Sequence, residues 1–285
     1  MASYQQMGYH SANLLSEPEL QDFAGAILSP VDYSETEITL QVKSHEGCPN
    51  FDLVFDPQLY YPQSERGKLL TWDYFPMDFD SLDVQSISWW RELIDELSET
   101  CNRVQPDAAC SPAFVPRTFN DDYFAFIVNL GNYFVDSLAH SRVRPIQTLL
   151  VDISDLVEPG RVMRITSILS RTEASSVYLI IIGGRGPRRE FDDVEELKGA
   201  MKLIAALEGC GLPVLVGFTS SDVVLWKAAG ATSCSTGKSF NLRRFTKSRF
   251  ERPREGGVQI PYWFEESLVA FLRESDVIRV RKHGV

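Results

Sequence analysis

Three aspartates, Asp56, Asp73 and Asp152, each close a short apolar run: FDLVFD at 51–56, LLTWD at 69–73 and QTLLVD at 147–152. A carboxylate in that position must be solvated, paired or chemically used, because burying it alone is costly. Two carboxylates in one partly dry cavity have their proton affinities pushed apart, so that one donates a proton and the other serves as base or nucleophile. The three aspartates are the candidate catalytic residues, and a divalent metal held by their oxygens is another use of the same set. The structural alternative is that each accepts backbone hydrogen bonds or pairs with Arg117 or Arg185.

A second group suits an anion. STGKSFNLRR at 235–244 supplies Lys238, Ser239, Arg243 and Arg244, GFTSSD at 217–222 supplies Thr219 and Ser220 ahead of a helix start, and GGRG at 183–186 supplies Arg185. Cations, hydroxyls and backbone N–H groups at a helix N-terminus are what a phosphate requires. TGKS at 236–239 imitates the end of a P-loop, but that motif needs glycine where Thr232 stands. GGRG lacks the spacing of a dinucleotide fingerprint and is followed by PRRE rather than a helix start. No zinc motif is present either: Cys48, Cys101, Cys110, Cys210 and Cys234 show no CxxC spacing, and His10, His45, His140 and His283 are as scattered.

The net charge of −11 disfavours nucleic-acid binding over the whole surface, yet 238–254 is locally basic. It carries Lys238, Arg243, Arg244, Lys247, Arg249, Arg252 and Arg254 against Glu251, interleaved with Phe240, Phe245 and Phe250. Charge with aromatic faces fits nucleic-acid phosphates and bases, or a partner protein; the alternative is that the phenylalanines anchor a long loop.

These residues need a scaffold that gathers strand ends. Short β-rich runs closed by polar or turn-forming residues occur at 23–31, 51–58, 69–76, 109–116, 147–154, 177–184, 212–219 and 231–237. Helical patterns lie at 86–104, 121–141, 157–172 and 194–211, with a short helix after the seventh run and another at 264–275; LYYPQSERGK after the second has none. Continuously apolar strands alternating with helices imply a parallel sheet covered on both faces. Eight such units in 285 residues predict an α/β fold of (β/α)₈ TIM-barrel type, with an open doubly wound parallel sheet as the alternative. The expected division is a polar N-terminal lead-in at 1–22 and one barrel domain at 23–285 with a long basic loop at 238–259. The lead-in lacks the basic start and apolar run of a signal peptide, and no run is long enough to span a membrane, so a cytoplasmic location is expected.

Acidic residues ending early strands, with Gly183-Gly184 after a middle strand, resemble tRNA-guanine transglycosylase barrels. The zinc-binding Cys/His cluster of that family is absent, and strand seven ends in Phe218-Thr219-Ser220-Ser221 with no aspartate before Asp222, which puts the family's nucleophile in doubt. The likeness is one of fold.

Two functions follow from these residues. One is an enzyme acting on a phosphate-bearing, nucleotide- or nucleic-acid-related substrate by hydrolysis or glycosyl transfer. The other is a non-catalytic barrel that binds a protein or nucleic acid through 238–254, within a multi-protein complex.

Overall fold

Val177–Ile182 and Val214–Gly217 are apolar along their whole length, as strands must be when helices cover one face and a packed interior the other. In the computed structural model, which describes residues 1–11, 13, 22–46, 48, 50–184, 186, 190–252, 261–268 and 270–282, these two are neighbours in a closed parallel barrel of eight strands. The strands are β1 (Ala2–Gln6), β2 (Gly25–Leu28), β3 (Asp52–Phe55), β4 (Ala108–Cys110), β5 (Arg144–Asp152), β6 (Val177–Ile182), β7 (Val214–Gly217) and β8 (Ser233–Thr236). Closure comes from β1, which pairs with β2 through Tyr4↔Gly25 and with β8 through Ala2↔Ser233. No open edge remains in that sheet, so the fold is the (β/α)₈ barrel and not the open doubly wound sheet.

Helices α1 (Glu35–His45), α2 (Ile87–Val104), α3 (Asp121–Ser137), α4 (Arg161–Leu169), α5 (Val194–Gly209) and α6 (Val223–Ala228) each bridge one strand to the next. Their starts are capped as their sequences dictate. Asn120 accepts from the Tyr123 N–H at 2.8 Å, Asp193 accepts from Glu195 at 2.9 Å, and Glu37 reaches back to the Ser34 N–H at 2.7 Å. α1 escapes a periodicity search because it buries only Ile38.

Four sequence expectations need correction. The 1–22 segment is not merely a lead-in, since β1 lies within it; its Gln5 and Gln6 are buried, which hides the strand from any search for apolar runs. LLTWDYFP at 69–76 is not a strand but a 3₁₀ turn (Leu69–Thr71) and loop in the long connection from β3 to α2. Its apolar residues pack the loop onto the barrel: Trp72 is buried and donates its indole N–H toward the carbonyls of Pro30 and Tyr33 at 3.3 and 3.1 Å. The helix expected at 264–275 is instead β9 (Trp263–Glu265) paired antiparallel with β10 (Ala270–Leu272), with Phe264 against Phe271 at 5.0 Å, and α7 follows at Glu274–Lys282. These last elements belong to a separate compact unit, Arg252–Val285, so 23–285 is not one domain; the barrel unit is Met1–Glu251.

The interior is packed to the point of excluding a methyl group. A Cβ on Gly217 would lie 2.6 Å from the ring and hydroxyl of Tyr178. Gly217→Ala is expected to displace that ring and to cost about 1–3 kcal/mol as overpacking, read as a lower melting temperature; an unchanged melting temperature would show that Tyr178 is free to move.

Candidate active site

β3 delivers Asp56 to the C-terminal end of the barrel, where the carboxyl is completely buried. One oxygen, Oδ1, accepts from the Tyr60 hydroxyl at 2.7 Å and from the Gln58 N–H at 3.1 Å. Gln58 makes this turn with a left-handed backbone, φ 55°. The other oxygen, Oδ2, is buried with no hydrogen-bond partner. Burial pushes the acid up to about 6, against the opposing pull of the Tyr60 and Gln58 hydrogen bonds and the Arg249 charge. Burial likewise raises the hydroxyls of Tyr60, Tyr74 and Tyr178 and the thiol of Cys110, and the Asp56 charge raises each further.

Side-chain hydrogen bonds from β1 reach its neighbour β8 and, across the barrel interior, the non-adjacent β6. Gln6 on β1 accepts from Tyr178 on β6 at 3.2 Å and from Ser235 on β8 at 2.8 Å, while its Nε2 donates to nothing. Gln58 accepts the Val31 N–H at 3.1 Å through Oε1, and its buried Nε2 also lacks an acceptor. The Ser29 hydroxyl lies 3.2 Å from the same Oε1 and 2.8 Å from Asp32. Buried polar groups are normally satisfied, so orphan donors and an orphan acceptor gathered at a barrel's catalytic end mark a site suited to a polar ligand.

The segment after β8 closes over this end. Phe245 and Phe250 are buried and meet Tyr60 edge-on at 5.2 and 5.6 Å, Phe245 also meets Phe218 at 5.5 Å, and the Ser64 hydroxyl donates to the Phe250 carbonyl at 2.7 Å. These two rings anchor the loop and are not faces for nucleic-acid bases. Two arginines ride inward with them. Arg249 donates to Asp32 at 2.6 Å and to Ser29 at 2.8 Å. Arg244 bridges Asp222 at 2.9 Å and Glu190 at 2.7 Å with its guanidinium 3.7 Å over the Phe191 ring.

Of the three strand-end aspartates only Asp56 is enclosed here. Asp73 is on the surface, its side chain 75% exposed and paired with Arg103 at 2.9 Å, because the strand expected to carry it does not form. Asp152 does end β5, but it caps the next turn, accepting from the Ser154 N–H at 2.9 Å and hydroxyl at 2.7 Å. The three do not converge, and among the described residues no group of three or more His, Cys, Asp or Glu could hold a metal ion. The divalent-metal reading therefore lacks its ligand set.

The described members of the anion set follow β7 and β8, and most of them are engaged within the protein. Thr219 donates its hydroxyl to the Ser235 carbonyl at 2.9 Å, Ser220 donates to Glu190 at 2.8 Å, and Arg243 donates to the Gly237 carbonyl at 2.6 Å. Arg244 gives both Nη nitrogens to carboxylates and leaves its buried Nε without an acceptor. Lys238 and Ser239 are exposed, with Lys238 donating to the His10 carbonyl at 3.0 Å. Arg185, Arg254 and the 253–259 part of the basic loop lie outside the described residues. Sequence reading passed over Gln6, Tyr178, Glu190 and Arg249 as site residues; Gln6 was hidden because the run at 69–76 already completed a count of eight strands without the first segment.

Two clefts lie away from this centre. One of about 380 Å³ is lined by Phe51, Leu53 and Asp107 at the N-terminal strand ends, and one of about 520 Å³ lies between the starts of α3 and α4, lined by Asp121, Asp155, Glu158 and Arg161. Among the described residues no helix is long and apolar enough to cross a membrane.

No protein family matches this sequence, and no curated protein does. Solved structures similar to it are barrel enzymes. A mandelate racemase/muconate lactonizing enzyme aligns at 7% identity and a TM-score of 0.46 over 85% of this chain and 52% of its own, so the chain spans about half the length of that enzyme. A type I 3-dehydroquinate dehydratase from Clostridium difficile aligns at 10% identity and 0.45, over 87% of this chain and 88% of its own. A family 2 AP endonuclease from Brucella melitensis aligns at 13% and 0.43, over 87% and 96%. At these identities the likeness is one of fold alone.

The Asp56 environment fixes a pH dependence. The unfolded carboxyl titrates near 3.8 and the folded one near 6, so the folded chain holds more protons between these values. Stability contributed by this group is full below the lower value, falls as pH rises through the window, and leaves a penalty on the order of 3 kcal/mol above it. Asp56→Asn keeps an acceptor for Tyr60 and Gln58 and removes the charge. Its melting temperature is expected to exceed the parent's at pH 8 and to converge with it near pH 4; parallel profiles over that range would contradict the assignment.

Proposed function

We propose that this barrel is an enzyme acting on a phosphate-bearing, nucleotide- or nucleic-acid-related substrate, by hydrolysis or glycosyl transfer, with Asp56 as its proton-transfer group. One observation carries the reading: a carboxyl buried at the catalytic end of the barrel, raised to about 6, with an oxygen that no protein group uses. Such an acid is protonated in mildly acidic solution and ionised at neutral pH, which suits a group that gives a proton to a leaving oxygen or nitrogen and takes one from water. Asp32, ion-paired to Arg249, is the second carboxylate of the mouth, and the contrast between a paired and an unpaired carboxyl is the usual way to divide acid and base roles. Lys238 and Ser239, exposed at the end of β8, are the residues of the anion set best able to meet a phosphate. Asp73 has no part in this chemistry, and Asp152 acts as a turn cap.

A packed mouth favours a second reading, the barrel as a binding module. Arg244 and Arg249 are neutralised internally, so partner charge would have to come from exposed groups such as Lys238 and Lys247.

The two readings separate by turnover. The protein is incubated with a panel of nucleoside phosphates and short oligonucleotides at pH 5 to 8, and released phosphate and free base are measured. Asp56→Asn is expected to lower turnover about 10²–10⁴-fold without lowering the melting temperature at neutral pH. Absence of product from the parent protein, or undiminished turnover in the variant, would leave the binding module as the reading to pursue.

A further inference from the structure

Arg161, Arg244 and Arg249 all leave a buried Nε without an acceptor, but Arg161 and Arg244 engage both Nη nitrogens, whereas Arg249 stands out because one nitrogen carries every bond it makes. A guanidinium meets a carboxylate or phosphate as a fork, with Nε and one Nη donating in parallel. Here a single nitrogen, Nη2, makes both contacts, to Asp32 and to Ser29, while Nε is buried and donates to nothing. Leaving such a donor unmet in the interior is costly. Its side chain is 4% exposed, and the segment that bears it is held down by Phe245 and Phe250. The unused donor is therefore kept in place by packing and not by its own bonds.

The other arginines of the run are poorer candidates for a ligand. Arg244 faces two carboxylates, Asp222 and Glu190, so an approaching anion would meet a net negative charge. Arg243 is turned onto the Gly237 carbonyl. Arg249 is balanced by one direct carboxylate partner, and its neighbours are themselves short of partners. Ser29 links it to Gln58, whose Nε2 is free, and Gln58 links to Asp56, whose Oδ2 is free.

We propose that Arg249 is the residue that receives the anionic group of the substrate, and that Asp32 is an internal stand-in which this group displaces. The inference rests on reading the mouth as the substrate site. An oxyanion on the Nε–Nη2 edge completes the fork, takes over the charge balance that Asp32 now provides, and sets the rest of the substrate beside Asp56. In its acid form Asp56 offers a proton to that substrate and adds no repulsion.

The test is binding of inorganic phosphate to the whole chain, by calorimetry at pH 6 and constant ionic strength. Arg249→Gln is expected to raise Kd about tenfold or more, the loss of one charge-assisted hydrogen bond. Asp32→Asn, which removes the competitor, is expected to tighten binding severalfold, a change that a merely structural ion pair would not produce. Lys202→Gln, an exposed charge on α5, should leave Kd within about twofold, given the small worth of exposed charges. Should Arg249→Gln fail to fold, Arg249→Lys keeps the charge without the fork and is expected to bind measurably more weakly. No binding by the parent protein, equal binding by both Arg249 variants and the parent, or weaker binding by Asp32→Asn would overturn the proposal. Phosphate binding needs no proton transfer, so Asp56→Asn separates the two ideas. Normal turnover in that variant sinks the acid–base role alone, and phosphate binding that ignores Arg249 sinks this one alone.

Discussion

Carboxylates drawn under the closing segment need counter-charges that travel with it, since an ionised group loses far more by leaving water than packing returns. Asp32 and Asp222 have side chains 12% and 6% exposed, and each is met by an arginine from the segment after β8. The basic run meets that requirement with Arg244 and Arg249, while its Lys238, Lys247 and Arg252 are exposed. Its aromatic residues serve the same closure, because Phe245 and Phe250 supply the apolar contact that holds Arg249 inside.

Closure of the barrel and construction of the site are also one event at β1. A wholly apolar first strand would close the sheet equally well, but this one carries Gln6, whose amide takes hydroxyls from Tyr178 and Ser235 across the interior. The amide ties β6 to β1 and β8, with which it shares no ladder, and its remaining donor is left without a partner. Gly217 leaves room for the Tyr178 ring in that arrangement. Fold and site therefore draw on the same few residues, and substitutions there are expected to affect both together.

The parallel strands β5 to β7 and the helices α2 to α5 were legible because their apolar patterning is strong, and Asp56 because it closes such a strand. What escaped did so for physical reasons. β1 is a short strand in which two of the three buried positions, Gln5 and Gln6, are amides. The 69–76 run is apolar because a long loop has to be packed down, a use of hydrophobic residues that composition alone does not distinguish from a strand. The arginines were visible as a cluster, but their partners Asp32, Glu190 and Asp222 are distributed along the chain and meet them only after the barrel has closed. Charge density is a one-dimensional property, whereas pairing is three-dimensional.

The remaining tension lies at Asp56. Every other carboxyl described at this end is answered by a cation, a hydroxyl or a backbone N–H, whereas Asp56 keeps Oδ2 unanswered, and its burial raises the acid to about 6. A hydroxyl or amide donor in place of one apolar neighbour would relieve it, and the fold already places Gln58 Nε2 and Gln6 Nε2 in the same polar interior without using them. Stability alone would favour letting those groups meet. Holding them apart, within a shell of Tyr60, Tyr74 and Tyr178, keeps an acceptor and several donors available at once, which is the arrangement a ligand with its own donors and acceptors can satisfy. The strain of an unsatisfied centre is thus best understood together with the closing segment: the arginine that shields the mouth is also the charge that keeps Asp56 from rising further.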